Sequence, residues 1–458
     1  MSLEQESTDQ EADPLDPFRQ FFALERDVLV LSVAMFAFSL GFQMTSRYMA
    51  EYMSALGASV FVVGLFGTFG NVISAVYPYP GGAISDRVGS RYALTAFGLC
   101  STLGFGLWLG APALAGVSIG STSLAIVAIF VGLALSQAWK SFGLGATFAI
   151  VKQSVSPSKL AAGFASTETF RRTAFLVGPL LAAALFYPFG SSDGEIVTAF
   201  QLILLVAVVF GVFGTVVQHV LYRSADDDFG TEFEGASRLI ADLRAMPDEL
   251  RPLLVGDTLV RFANGMVYVF FVLVVTRFLE VGLSVSLPAV GAVDLSPQSY
   301  FGILLGIEMV VALVTMIPVA KAAERVGLKP VVALGFAVYA IFPIVLINAP
   351  EDAAVLAALF AFSGLRFAGL PAHKALIVGP AERGVGGRVT GAYYLLRNLI
   401  VIPSAALGGL LWDGFSNPLT GAEVFAGDPT VAFTIATGIG LIGTAYFLVF
   451  GKEFEAYQ

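Results

Sequence analysis

From Val28 onward the sequence returns twelve times to a run of about twenty apolar residues, the length a helix needs to cross a bilayer. The runs begin near Val28, Val60, Tyr92, Ser123, Leu160 and Val197, then near Leu253, Tyr300, Val331, Ala353, Val389 and Thr430. Several contain Gly or Pro, which membrane helices tolerate better than soluble ones. The chain is 57% hydrophobic and 13% charged, with mean hydropathy +0.81. Soluble domains carry about 25% charged residues, so this composition excludes a soluble enzyme, a fibrous protein and a disordered chain. Acidic residues outnumber basic ones, 34 to 25, whereas a nucleic-acid partner needs a basic footprint. The single cysteine, Cys100, lies inside an apolar run and leaves no intrachain disulfide. Residues 1–26 are acidic and lack the basic start and apolar core of a signal peptide, so the first run is expected to stay in the mature protein.

The longest polar interruption, from about Arg223 to Arg251, divides the runs six and six. The expected organisation is an all-α integral membrane protein: an acidic tail over 1–27, a six-helix bundle over 28–222, a linker over 223–251, a second six-helix bundle over 252–451, and a short tail over 452–458. Lys and Arg placement sets the orientation. With the N-terminus cytoplasmic, the short loops after spans 2, 4, 8 and 10 hold Arg87, Arg91, Lys152, Lys159, Lys321, Arg325, Lys329, Lys374, Arg383 and Arg388. The outer loops then hold only Arg47 and Arg277, near span ends, so both termini are expected in the cytoplasm. In the linker, Leu239, Ile240, Leu243 and Met246 recur at helical spacing among Arg238, Asp242 and Arg244. That pattern fits a short amphipathic helix on the membrane surface, or a flexible linker with incidental periodicity.

The two halves repeat one another, as parallel duplications do. A shift of 238 positions places Gly64 on Gly302, Pro80 on Pro318, Asp86 on Glu324, Arg87 on Arg325, Gly89 on Gly327 and Arg91 on Lys329 without a gap. A shift of 226 places Lys140 on Arg366 and Gly143 on Gly369.

The segment Gly82-Ala-Ile-Ser-Asp86-Arg87-Val-Gly89-Ser-Arg91 between spans 2 and 3 resembles the loop signature of the major facilitator superfamily, and Ala320-Lys-Ala-Ala-Glu324-Arg325-Val-Gly327-Leu-Lys329 is similar to its second, degenerate copy. With the twelve spans, the repeat and the central linker, the resemblance covers nearly the whole chain. It implies the twelve-helix, two-bundle fold and secondary active transport of a small solute across the plasma membrane. Transport would proceed by alternating access, in a chain that suffices as a monomer. The signature residues would act as a charged gating latch. The likeness implies no cofactor. No Gly-x-x-x-x-Gly-Lys-Ser/Thr loop is present, so an ion gradient, H+ or Na+, is the expected drive. A non-transporting membrane sensor is the reading from another class. A membrane enzyme would need clustered catalytic groups, and the two histidines fall on different spans.

Charges inside the runs are the candidate functional residues, because a charge in hydrocarbon is costly and faces a cavity or a partner. They are Lys140, Arg171, Arg172, Arg261, Arg366 and Arg397 against Glu168, Asp257 and Glu308. The six cations are substrate-cavity candidates and leave the interior net positive, which points to an anion. Glu168 precedes Arg171 and Arg172 by one turn, as Asp257 precedes Arg261, so these sets can neutralise one another locally. Glu308 has no basic residue within a turn of its own helix and is the first proton-coupling candidate, ahead of Glu168 and Asp257. The alternative for Glu308 is an ion pair with an Arg from another span. Gly178 and Pro179 lie in a span 5 segment similar to that of family antiporters, with Ala where that pattern prefers Gly, and Pro371 lies in a span 10 segment similar to one found in bacterial exporters. All three are helix-bend candidates, and both likenesses lean towards efflux of a drug or metabolite, with organic-anion uptake the alternative. His219 and His373 read as anchors at helix ends rather than metal ligands, and Gly64, Gly67 and Gly70 as a smooth packing face. Seven Lys against eighteen Arg, with an acidic tail and linker, resembles the usage of salt-adapted archaea.

Overall fold

The computed structural model describes residues 26–77, 88–120, 122–154, 160–222, 246–287, 291–378, 386–416 and 423–453. The first half of the chain forms α1 (Arg26–Ser46), α2 (Met49–Ala55), α3 (Val60–Val76), α4 (Ser90–Gly110), α5 (Leu124–Ser154), α6 (Leu160–Phe186) and α7 (Asp193–Leu221). The second half forms α8 (Leu250–Val267), which runs on through tight and wide turns to Phe278, then α9 (Pro297–Val326) and α10 (Leu328–Ile347). It continues with α11 (Ala353–Gly364), α12 (Leu370–Val378), α13 (Gly386–Val401), α14 (Ser404–Asp413) and α15 (Pro429–Phe450). Ten helical segments among the described residues are long and apolar enough to cross a membrane, so the chain is a multi-pass membrane protein. The two remaining expected positions hold α3, which is apolar but 17 residues long, and α6, which carries Glu168, Arg171 and Arg172.

Short antiparallel hairpins, β1–β2 (Ser118–Ile119, Thr122–Ser123), β3–β4 (Leu283–Leu287, Gly291–Leu295) and β5–β6 (Gly414–Ser416, Glu423–Ala426), mark one end of the bundle. The opposite end, where α1 begins and α15 stops, is the tail end.

Burial follows the rule for lipid rather than water. On α7, Leu202, Leu205, Val209, Val212, Phe213 and Val216 are exposed on one face, while Ala199, Ile203, Ala207, Gly211 and Gly214 are buried on the other. The small residues let helices approach, and the large apolar ones meet hydrocarbon. Helix starts are capped locally: Ser192 and Glu195 form a reciprocal capping box on α7, and Ser296, Asp352 and Asp428 cap α9, α11 and α15.

The repeat is visible in the backbone. Gly89 and Gly327, equivalent by the 238 shift, both adopt left-handed φ (85° and 91°) immediately before α4 and α10, a conformation that favours glycine. Gly64 and Gly302, also equivalent, sit where the halves cross most closely. A Cβ on Gly64 would stand 2.5 Å from Ala405 O, and one on Gly302 would stand 2.5 Å from Pro179 O. Thus α3 packs on α14, and α9 on α6. Gly67 meets Ala405 in the same crossing.

The core differs between the two ends. Towards the hairpin end one buried cluster joins both halves, with Tyr48 tilted against Phe186 and edge-on to Phe301, and Phe301 edge-on to Phe360. Towards the tail end the buried clusters separate: Leu253, Phe336, Tyr393 and Phe447 belong to the second half, and Leu31, Leu94, Phe38 and Trp139 to the first. The halves are closed at the hairpin end and parted beyond it.

Some sequence expectations change or lie outside the description. Arg47, expected in an outer loop near a span end, falls in the turn between α1 and α2 directly after the apolar segment Arg26–Ser46, and the chain stays inside the bundle there, because Tyr48, Met49, Tyr52 and Met53 keep burying apolar surface after it. The tail over 1–25, Gly82, Asp86, Arg87, Lys159, Arg383 and the linker over 223–245, with its expected amphipathic helix, lie outside the described residues; Met246 is buried beside Leu250. Of the helix-bend candidates, Pro179 lies within α6, and Pro371 opens α12 after the break at 365–369, where a missing N–H costs least.

Substituting Gly302→Ala is expected to lower the thermal unfolding midpoint in detergent, at a cost of about 1–3 kcal/mol. Gly438→Ala, where a Cβ meets nothing within 4 Å, should leave the midpoint unchanged or raise it. Circular dichroism melts compare the two, and equal midpoints would contradict the close crossing of α9 and α6.

Candidate functional site

A central cavity of about 470 Å³ lies between the halves. The first half lines it from α1, the Arg47 break, α3, α4, α5 and α6, and the second from α8 to Val272, α9, the α11–α12 break, α13 and α14. Aromatic walls come from Phe42, Phe66, Trp108, Phe175, Tyr268 and Phe301. Five cations line it: Arg47, Lys140, Arg261, Arg366 and Arg397. Glu308 is the one carboxylate among the described lining residues. Gln137 and Asn264, one from each half, leave buried amide oxygens without a hydrogen-bond partner.

The cations differ in how the protein balances them. Glu308 on α9 is buried and contacts Arg366 at the α11–α12 break, and Ser363 Oγ donates to the same carboxylate oxygen at 3.1 Å. The Arg366 guanidinium lies among four rings, with centroids 4.8–5.7 Å away at Phe367, Tyr339, Tyr268 and Phe342. This pair spans two helices, which is why the local sequence around Glu308 could not show it.

Asp257 on α8 has no exposure and gathers donors from its own helix and from α13. Its Oδ1 accepts Arg261 Nε at 3.3 Å, and its Oδ2 accepts Tyr393 Oη and Arg397 Nη1 at 3.0 Å each. His373 Nε2 stands 3.3 Å from Oδ2 with no hydrogen-bond partner. His373 is therefore a buried member of this cluster, not the interfacial anchor that its place near a helix end suggested. Arg261 and Arg397 reach from Asp257 to the cavity.

Arg47 and Lys140 have no carboxylate partner among the described residues. Each rests on a ring: Arg47 is 4.6 Å from the centroid of Tyr268, and Lys140 Nζ is 3.8 Å from that of Phe42. Lys140 and Arg366, equivalent in the repeat, thus both face the cavity. Arg171 and Arg172 are not among its lining residues, and Arg171 lies 5.8 Å from the Phe175 ring centroid. The side chain of Glu168 lies outside the described residues. Gly178 packs against Gln43 of α1.

The hairpin end is closed by a polar clasp that the sequence reading missed. Glu51 on α2, fully buried, accepts Thr276 Oγ1 at 2.6 Å, Arg277 Nε at 3.1 Å and Gln298 Nε2 at 3.1 Å, all from the second half. Arg277 Nη2 also donates to Asp193 at 2.7 Å. Nearby, Asp413 Oδ2 accepts Phe61 N at 2.6 Å, so the end of α14 caps the start of α3. The available signal was Tyr48 and Tyr52 at helical spacing around Arg47 and Glu51, which extends span 1 beyond twenty residues.

The gating-signature residues that are described lie at the tail end. Arg91 Nε donates to His219 O at 2.7 Å, and Thr95 meets His219 Nδ1 at 3.0 Å. Glu324 and Arg325 are exposed. Glu453 accepts the Leu328 and Lys329 amides at 2.8 and 2.9 Å, so a carboxylate sits on the N-terminus of α10 beside Gly327.

No protein-family model matches the sequence, and no curated protein matches it. Solved structures do match the fold. The nucleoside transporter NupG superimposes with TM-score 0.68 at 11% identity, over 93% of this chain and 100% of that one. A POT family transporter in complex with 5-aminolevulinic acid gives 0.64 at 13%, over 94% and 99%. A bacterial homologue of the iron transporter ferroportin, in an inward-facing state, gives 0.68 at 14%, over 93% and 99%. This chain shares with these transporters the major facilitator fold.

Glu308→Gln would leave Arg366 buried without a counter-charge, at an expected cost of about 3–5 kcal/mol. Adding Arg366→Met to that variant should recover much of the loss. A double-mutant cycle by thermal unfolding reads the coupling, and strictly additive effects would contradict the pair.

Proposed function

We propose that this chain is a secondary active transporter of the plasma membrane that moves a small organic anion by alternating access. The observation that carries the reading is the net positive charge of the cavity, where Arg47 and Lys140, which form no ion pair of their own among the described residues, add to three arginines that share two carboxylates. Arg261, Arg366 and Arg397 already have Asp257 and Glu308. Two cations that rest on ring faces and line the cavity without an ion pair favour an anion from the cargo. The aromatic walls suit an apolar body, and the free amide oxygens of Gln137 and Asn264 suit a polar substituent.

In this reading all twelve expected spans cross the membrane, as six-helix bundles over 28–222 and 252–451 joined by the linker over 223–251, with the tail end cytoplasmic. The clasp around Glu51 then shuts the outer side. Release of that clasp, with closure at the tail end, would turn the cavity outward, and the signature loops with Asp86, Arg87, Glu324 and Arg325 would latch the inner side. A second reading, proton-coupled efflux, is favoured by the Gly178-Pro179 segment of α6. Symport of the anion with H+ or Na+ is preferred here because the entering cation supplies charge that an anion needs. Glu308, Glu168 and Asp257 remain the acidic coupling candidates, and one chain contains the whole path.

The test uses purified full-length protein in liposomes with an acid-outside gradient and labelled benzenesulfonate, phenyl phosphate or succinate, against neutral benzenesulfonamide. Saturable, gradient-driven uptake of at least one anion is expected, and none of the amide. Arg47→Gln and Lys140→Gln should each weaken the apparent affinity about tenfold, the size of one lost charge-assisted hydrogen bond. No saturable anion flux in either direction would overturn the reading.

A further inference from the structure

We propose that His373 is a proton-binding site whose charge displaces Arg397 from Asp257 towards the cavity, so that proton uptake and anion binding occur together. This rests on the anion-transport reading above and names the coupling group of the same site.

The argument begins with a contested oxygen. Asp257 Oδ2 already accepts two donors, Tyr393 Oη and Arg397 Nη1, each at 3.0 Å. A carboxylate oxygen has about two lone-pair sites, so that oxygen is full. His373 Nε2 lies 3.3 Å away, buried and without a hydrogen-bond partner. An unpaired imidazole nitrogen can remain there while the ring is neutral. A protonated ring needs the carboxylate, because an unpaired buried charge is costly.

One of the two present donors must then yield, and the surroundings choose it. Tyr393 has no exposure, packs against Tyr394 and His373, and has only the more distant Leu253 O, at 3.4 Å, as a second acceptor, so its ring is held in place beside Asp257. Arg397 is partly exposed to the cavity and has other partners: Asn398 Oδ1 accepts its Nη2 at 3.1 Å, and the Tyr394 ring centroid lies 4.7 Å away. Arg261 binds the other oxygen, Oδ1, and is tied to Tyr339 Oη at 3.0 Å. Arg397 is thus the exchangeable partner.

The charges facing His373 come from every element around it. Asp257 and Arg261 come from α8, and Tyr393 and Arg397 from α13. Tyr339 and the Phe336 ring come from α10, with Arg366 on the preceding turn and Glu308 of α9 paired to it. Lys374 beside it is exposed. With His373 neutral, Asp257 and its two arginines carry one net positive charge. The added proton makes two, and the second is expressed at the cavity wall through Arg397. An anion in the cavity offsets it, and by linkage each ligand favours the other.

The chain has two histidines, His219 and His373, so ring-labelled histidine in the full-length protein in nanodiscs gives two signals, assigned with His219→Gln and His373→Gln. The His373 signal is expected to change as the ring takes up its proton. Its midpoint should move by about one unit in Arg397→Gln, the size of a charge effect at close range, and stay near wild type in Arg397→Lys. His219 should be unmoved in both, which reports an intact fold. A second arm adds the binding anion found above to weakly buffered protein and follows a pH dye. Wild type should take up close to one proton per anion bound, while His373→Gln binds the anion and takes up none. A silent His373, a midpoint indifferent to Arg397→Gln, or full proton uptake by His373→Gln overturns the proposal. If no anion binds at all, the transport reading fails on its own, and the titration still decides whether His373 and Arg397 share Asp257.

Discussion

A carboxylate with no access to solvent, Glu51, holds the two halves of the chain together at one end. Its three donors all come from the second half, and Arg277 extends the clasp to Asp193. Each hydrogen bond to a charged group contributes about 1.5–3 kcal/mol, and the clasp sits directly over the aromatic cluster around Tyr48 and Phe301. The cavity exists because this end is shut while the clusters at the other end stay separate. Gly64 and Gly302 make the closure possible, since any side chain there would keep α3 off α14 and α9 off α6.

Charge in the cavity is distributed unevenly between the halves. The second half offsets part of its own arginine charge: Arg366 meets Glu308, and Arg261 and Arg397 share Asp257, which leaves one net positive charge there. The first half contributes Arg47 and Lys140, which have only ring faces. The cavity as a whole therefore carries more positive than negative charge. Arg47 also leans on Tyr268 of the other half, whose ring in turn lies 5.5 Å from Arg366. The Tyr268 ring thus lies between a cation of each half.

Much of the fold was legible because membrane helices announce themselves locally. Run length and hydropathy placed the helix starts, and the gap-free repeat paired Gly64 with Gly302 and Gly89 with Gly327 before any geometry was known. The misreadings share one cause. Arg47 looked like a loop residue because a charge was taken to end a span, although the apolar spacing continued through Tyr52. Glu308 stood between two readings, a lone carboxyl and a pair with an Arg of another span, because only its own helix was visible; the structure gives the pair, with a partner 58 residues away. His373 looked interfacial because its depth was judged by distance from a helix end, not by what packs over it.

The amino-acid sequence by itself determined that this is a bundle of membrane helices in two related halves, with charges buried inside it. Those properties follow from local apolar length, from Lys and Arg placement, and from a duplicated pattern, none of which needs a partner helix. Tertiary structure decided which charges cancel and which remain. Ion pairs such as Glu51–Arg277 join residues 226 positions apart, and spacing along one helix carries no information about the side chain that meets it from another. The residual charge of Arg47 and Lys140, and the contest for Asp257, appear only when all those helices are brought round one cavity.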